Sequence, residues 1–353
     1  MINVVDVLGT PHAYELTAPT RTPITLVFVH GWLLSRAYWQ PVIQQLAPKY
    51  TCLSYDLRGF GDSQPGRAML LHNSGANAAS APYAARTAAC PDGDRLDSSV
   101  STVDSSSTNL ASNLATATVS PPSETVELQE RPGYTPDDYA RDLEQLLEKL
   151  DVSNAWLIGH SLGGSIALWA ADRMPERVKG VVCVNSGGGI YLKEEFERFR
   201  AAGQQLVKLR PRWLCHLPMA DWMMTYMNVA RPVDRTWGRQ RLMDWVCADP
   251  EAAAGALLDS TTEDEVHRLP QVVSRLSQPV YFIAGQNDTV MEPQYVLHLA
   301  SFHRLFQQCG QNVLQIPNCG HLAMIEQTDV VAGHLQTILA RHVADQSLQT
   351  VAD

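Results

Sequence analysis

Asn154-Ala155-Trp156-Leu157-Ile158 followed by Gly159-His160-Ser161-Leu162-Gly163-Gly164 and then Ser165-Ile166-Ala167-Leu168-Trp169-Ala170-Ala171 reads as a buried strand, a tight turn and a helix. A serine in G-x-S-x-G between strand and helix is the nucleophile-elbow signature. The demand is steric. The turn is strained, so side chains two residues either side of Ser161 must be nearly absent, and Gly159 and Gly163 meet that demand. The turn lifts the hydroxyl above the sheet edge and aims the next helix's N-terminus at it, where backbone N–H groups stabilise negative charge.

The same strand–helix alternation runs through much of the chain. Residues 2–8 and 12–17 flank Gly9-Thr10-Pro11 as a hairpin. Ile24 to Val29 reads as a buried strand ending at His30-Gly31-Trp32, with a helix over 36–47 and a strand over 51–55. That strand runs into Asp56-Leu57-Arg58-Gly59-Phe60-Gly61-Asp62-Ser63. Thr135, with Pro136 in the first turn and Asp138 in the capping-box position, starts a helix whose core stripe is Leu143, Leu146, Leu147 and Leu150. Strands over 178–185, 279–284 and 313–316 follow, with helices over 293–308 and 328–344. This order predicts an α/β fold, a mostly parallel doubly wound sheet with helices on both faces.

Two stretches break the alternation. Residues 65–133 are dominated by Ala, Ser, Thr, Asn and Pro and lack Phe, Trp, Ile and Lys. Such a composition cannot bury enough apolar surface to offset its ordering entropy, so a disordered or loosely attached insertion is expected. Residues 186–276 read as a mostly helical lid rich in Trp and Met, which packs its own core. As pocket lining, Trp213, Trp222, Met223 and Met227 would favour an apolar acyl or alkyl group. The expected division is a core of 1–64, 134–185 and 277–345, the insertion, the lid, and a tail of 346–353.

Three chemically able residues each follow a strand, in the order Ser161, Asp288, His321. In an open parallel sheet the carboxyl ends of the strands face one crevice, so these distant residues can meet. A serine hydroxyl is a weak nucleophile that needs an imidazole base, and the base needs a carboxylate to fix its tautomer. Glu292 is a rival acid that reads as a helix start, and His298, His303 and His334 are rival bases placed on solvated helix faces. His30 reads as a residue holding the loop after its strand, and Asp56, Arg58 and Asp62 as loop staples rather than metal ligands.

Taken together, Val29-His30-Gly31-Trp32, Asp56 to Ser63, Gly159 to Gly164, Gly285-Gln286-Asn287-Asp288 and Cys319-Gly320-His321 make the chain resemble the α/β-hydrolase fold superfamily over about residues 20–63 and 134–345. The resemblance implies a serine hydrolase with nucleophile Ser161, acid Asp288, base His321, and an oxyanion hole from the backbone N–H groups of Trp32 and Leu162. It implies no metal and no organic cofactor. The expected activity is cleavage of a carboxylic ester or related small apolar acyl compound. Relatives using Asp at the elbow, the haloalkane dehalogenases and epoxide hydrolases, are disfavoured by Ser161. C–C bond hydrolases, thioesterases, aminopeptidases and cofactor-free haloperoxidases share the triad, and a non-catalytic ligand receptor shares the fold. The insertion after Ser63 departs from the family pattern.

The formal net charge of -10 argues against nucleic acid or an anionic membrane as partner. No stretch approaches the roughly 20 apolar residues of a membrane span, and the start of the chain lacks a basic region followed by an apolar run. The seven cysteines form no C-x-x-C pair, so reduced, buried thiols in a cytoplasmic protein are expected. The residues imply no particular oligomeric state.

Overall fold

The computed structural model of the chain describes residues 1–64, 67, 133–188, 193–309 and 312–349. The expected insertion at 65–133 therefore lies, apart from Arg67 and Gly133, outside the described residues. The described strands are β1 (Ile2–Val7), β2 (Thr10–Leu16), β3 (Thr25–Val29), β4 (Thr51–Tyr55), β5 (Ala155–His160), β6 (Val178–Val184), β7 (Val280–Gly285) and β8 (Val313–Ile316). They form one sheet in the order β1-β2-β4-β3-β5-β6-β7-β8. The β1–β2 hairpin and the β2–β4 pair are antiparallel, and every later pair is parallel. β5 and β7 are buried at every residue, the pattern of central strands covered on both faces.

The helices are α1 (Gln40–Leu46), α2 (Pro136–Lys149), α3 (Leu162–Arg173), α4 (Lys193–Lys208), α5 (Ala220–Met224), α6 (Arg235–Cys247), α7 (Pro250–Ser260), α8 (Glu263–Arg275), α9 (Pro293–Ser301), α10 (Arg304–Cys309), α11 (Ala323–Glu326) and α12 (Thr328–Gln349). The capping box at α2 is formed: Asp138 N–H donates to Thr135 Oγ1 at 3.1 Å, and Thr135 N–H donates to Asp138 Oδ2 at 3.0 Å. One apolar cluster joins α2, α3 and α8 to one face of the sheet, and a second joins α1 and α12 to the other. A third, of Cys215, Ala220, Met224, Leu242, Met243 and Val246, is internal to the helices between β6 and β7.

Several boundaries differ from expectation. The helix expected over 36–47 begins as a 3-10 turn, Arg36–Trp39. The helix expected over 293–308 divides into α9 and α10 at His303, which is fully buried with Nε2 3.0 Å from the Gln278 carbonyl, not on a solvated face. α12 runs on to Gln349, into the expected tail. Cys52, Cys183, Cys215 and Cys319 are free and buried, whereas Cys247 is disulfide-bonded, so reduced thiols do not describe the whole chain. Among the described residues no helix is long and apolar enough to cross a membrane.

Candidate active site

The loop after β4 is stapled from inside. Asp56 Oδ1 accepts the Arg36 backbone N–H at 2.7 Å, and Asp56 Oδ2 accepts that of Asp62 at 2.8 Å. The Arg36 guanidinium bridges Asp56 and Asp62. Ser63 Oγ donates to the Asp56 carbonyl at 2.7 Å, and Arg58 Nε donates to Asp142 at 2.9 Å. Every one of these charges is buried, so each needs the partner it has.

His30 ties this loop to the one after β3. Its Nε2 accepts the Leu57 N–H at 2.9 Å, leaving Nδ1 to donate to the Gly31 carbonyl at 2.8 Å. Burial pushes its pKa down to about 4, so the ring stays neutral in that role. Trp32 is anchored by its indole Nε1, which donates to the Ala253 carbonyl at 2.8 Å.

Ser161 sits between β5 and α3 with φ 51° and ψ -122°, a strained conformation for a residue with a side chain. A Cβ on Gly159 would lie 2.1 Å from the Gly163 carbonyl oxygen, and one on Gly163 would lie 2.4 Å from that of Val29. Both glycines are therefore required by close backbone approach. Ser161 N–H donates to the Val184 carbonyl at 3.0 Å, which pins the turn to β6.

Asp288 follows β7 and His321 follows β8, and the two side chains meet: His321 Nδ1 lies 2.8 Å from Asp288 Oδ2. Burial pushes the Asp288 carboxyl upward, but the His321 imidazole and the donors around it outweigh that and hold it below the usual range. Those donors are the Val290 and Met291 N–H groups on Oδ1, at 2.8 and 2.9 Å, and Asn185 Nδ2 on Oδ2, at 2.8 Å. An ionised Asp288 accepts from His321 Nδ1, the ring nitrogen that faces it. Glu292, the rival acid, stands exposed at the start of α9 and its side chain makes no cap hydrogen bond there.

Ser161, His321, Trp32 and Leu162 all border one cavity of about 440 Å³ between the carboxyl ends of the strands and the helices of 193–275. Leu162 opens α3, where an N–H has no intrahelical acceptor. Much of the remaining lining is apolar, including Phe199, Leu206, Met224, Leu257 and Val290. Of the four lid residues expected as lining, Met227 is there. Trp213, Trp222 and Met223 are not: they are 59%, 49% and 60% exposed on the outer side of this segment. Its internal core is filled by Met224, Leu242 and Met243, and Met224 reaches the cavity as well, so the apolar stretch divides among a core, an outer face and part of the cavity wall.

Three residues around the site escaped the sequence reading. His160 is buried, with Nε2 2.8 Å from the His321 carbonyl and its ring 4.8 Å from the His321 ring. Burial, followed by the neighbouring His321, lowers its pKa to about 3. Asn185 joins Asp288 to the Gly320 carbonyl, at 3.1 Å. Arg241 borders the cavity. Among the described residues no three His, Cys, Asp or Glu side chains come together as a metal site.

A strained serine at a strand–helix turn and a carboxylate-held imidazole border one cavity at the ends of parallel strands. The chain belongs to the alpha/beta hydrolase fold family, whose model matches residues 24–328. It is similar to 2-succinyl-6-hydroxy-2,4-cyclohexadiene-1-carboxylate synthase from Escherichia coli, 26% identical over 204 residues that cover 58% of this chain and 75% of that protein. Its fold is similar to a thermophilic esterase from Thermogutta terrifontis (TM-score 0.62, 18% identity, covering 97% of this chain and 99% of that one). It is also similar to a bromoperoxidase from Bacillus anthracis (TM-score 0.64, 17% identity, 96% and 100% covered).

Proposed function

We propose that the protein is a serine hydrolase that cleaves a carboxylic ester or related acyl compound through an acyl-enzyme on Ser161. The observation that carries this reading is the 2.8 Å contact of His321 with a low-pKa Asp288 at the cavity that Ser161 borders. His321 Nε2 takes the Ser161 proton as the hydroxyl oxygen attacks the carbonyl carbon. The N–H groups of Trp32 and Leu162 hold the oxyanion, aided by the positive end of α3. His321 then delivers the proton to the leaving group. In the second half it activates water, which releases the acid and restores Ser161.

In this reading the helices of 186–276 are the lid and the apolar lining receives the carbon chain of the substrate. The residues that carry out these steps are all protein groups. A p-nitrophenyl ester series of increasing acyl length is the test. Turnover that disappears in Ser161→Ala, together with fluorophosphonate labelling of Ser161, is the expected result. Equal rates in both proteins overturn it.

A further inference from the structure

The cavity at Ser161 is mainly apolar, yet an arginine borders it. Arg241 on α6 is 6% exposed and remains protonated at any ordinary pH. Its Nη1 donates to the carbonyls of Met224, at 2.7 Å, and Met227. Nη2 and Nε have no acceptor among the described residues, and neither atom is sealed from solvent. Arg210 is likewise buried and donates only to carbonyls, but it does not border the cavity, and two other buried arginines near the site are paired. Arg36 is held by Asp56 and Asp62, and Arg58 by Asp142. Among the described residues no carboxylate pairs with Arg241, and its electrostatic neighbour is the Tyr38 phenol, itself kept neutral by burial.

A buried cation with only carbonyl dipoles around it is costly, and a carboxylate ligand relieves that cost while using the planar fork bidentately. Arg241 and Ser161 border the same cavity. Met227 and Asn228 border the same cavity. Met227 accepts from Arg241, and the Asn228 carbonyl accepts the His321 N–H at 2.8 Å. One short segment thus fixes both the cation and the histidine backbone.

We propose that Arg241 is an anion subsite of this cavity, so that the acyl compound turned over at Ser161 carries a carboxylate that pairs with its guanidinium. The inference rests on the serine-hydrolase reading for the reaction, but not for the binding. The substrate is then an ester with an apolar middle and an acidic end.

The test pairs p-nitrophenyl pentanoate with mono-p-nitrophenyl glutarate, which differ chiefly in a terminal carboxylate. The full-length chain should show kcat/KM about tenfold or more higher for the charged ester, the scale of one charge-assisted pair. Arg241→Gln should abolish that ratio and Arg241→Lys should keep part of it, with melting temperature and circular dichroism checking that each variant folds. Calorimetry of pentanoate against pentan-1-ol on Ser161→Ala protein measures the subsite without hydrolysis, and pentanoate should bind more tightly. Should Arg241→Gln not fold, the wild-type ratio and this calorimetric comparison decide. Absence of hydrolysis of either ester overturns the serine-hydrolase reading, while the calorimetry still decides the subsite. Hydrolysis without preference for the charged ester, or a preference that survives in Arg241→Gln, overturns the subsite.

Discussion

The Asn185 amide stands 2.8 Å from Asp288 Oδ2, the same oxygen that meets His321, and 3.1 Å from the Gly320 carbonyl. One buried side chain at the end of β6 thus holds the acid after β7 and the loop before the histidine after β8. On the proposed mechanism Asn185 acts by positioning, since it is not among the residues that border the cavity. Asn185→Ala should lower stability by about 2 kcal/mol, the scale of a hydrogen bond to a charged group. It should reduce kcat more than it raises KM. Asn185→Asp should be worse at neutral pH, because it replaces a donor with a second carboxylate against Asp288. Urea unfolding and ester kinetics of the two variants check this, and an Asn185→Asp protein as active as wild type contradicts it.

Asp288→Asn keeps the shape of the acid but lets an amide face His321 Nδ1. The imidazole then shifts its proton to Nε2 and can no longer take one from Ser161. Loss of about 10⁴ in kcat is expected by analogy with other serine triads, with little change in melting temperature. A loss of only a few fold shows that another group, with Glu292 the first to examine, supplies the acid.

Much of this was legible in the sequence because the constraints are local. The elbow needs glycines at 159 and 163 whatever surrounds it, and strand-end positions for Asp288 and His321 follow from the alternation of elements. What was not legible acts across the chain or depends on which way a helix faces. Asn185 works on a residue 103 positions away. His160 reaches the His321 carbonyl 161 positions away. The Trp and Met residues of 213–227 share one composition, but Met224 and Met227 reach the cavity while Trp213, Trp222 and Met223 face out, a division set by packing between helices and not by residue type. Arg241 looked like any other arginine until a cavity appeared beside it.

Two glycines make opposite predictions. On Gly163 a new methyl group meets the carbonyl oxygens of Val29 and His30 at 2.4 and 2.5 Å, both in backbone at the end of a central strand. Gly163→Ala should cost about 3 kcal/mol or more, or yield no soluble protein. Gly333 is exposed on α12, and a methyl group added there would meet nothing within 4 Å. Gly333→Ala should add about 0.5–1 kcal/mol by reducing the freedom of the unfolded chain. Urea midpoints of the two variants, displaced in opposite directions, are the expected outcome.

Asp244 gives the pH dependence. It lies on α6, where its Oδ2 accepts from Ser35 Oγ at 3.0 Å and from Gln240 Nε2 at 2.9 Å, joining α6 to the loop after β3. Burial is the main reason its pKa is pushed up to about 7; Asp56 adds to that, while Gln240, Ser35 and Arg67 oppose it. In the unfolded chain the same carboxyl loses its proton near pH 4. Between those values the folded protein binds more protons than the unfolded one, so each rise in pH removes stability, by at most about 1.4 kcal/mol per pH unit from this group. The contribution is fully favourable below about pH 4, falls away up to about pH 7, and is level above that. Asp244→Asn cannot titrate and should lose this slope. Relative to wild type it should gain stability steadily from pH 4 to 7. Urea unfolding at pH 5, 6, 7 and 8 checks this, and parallel curves for the two proteins contradict it.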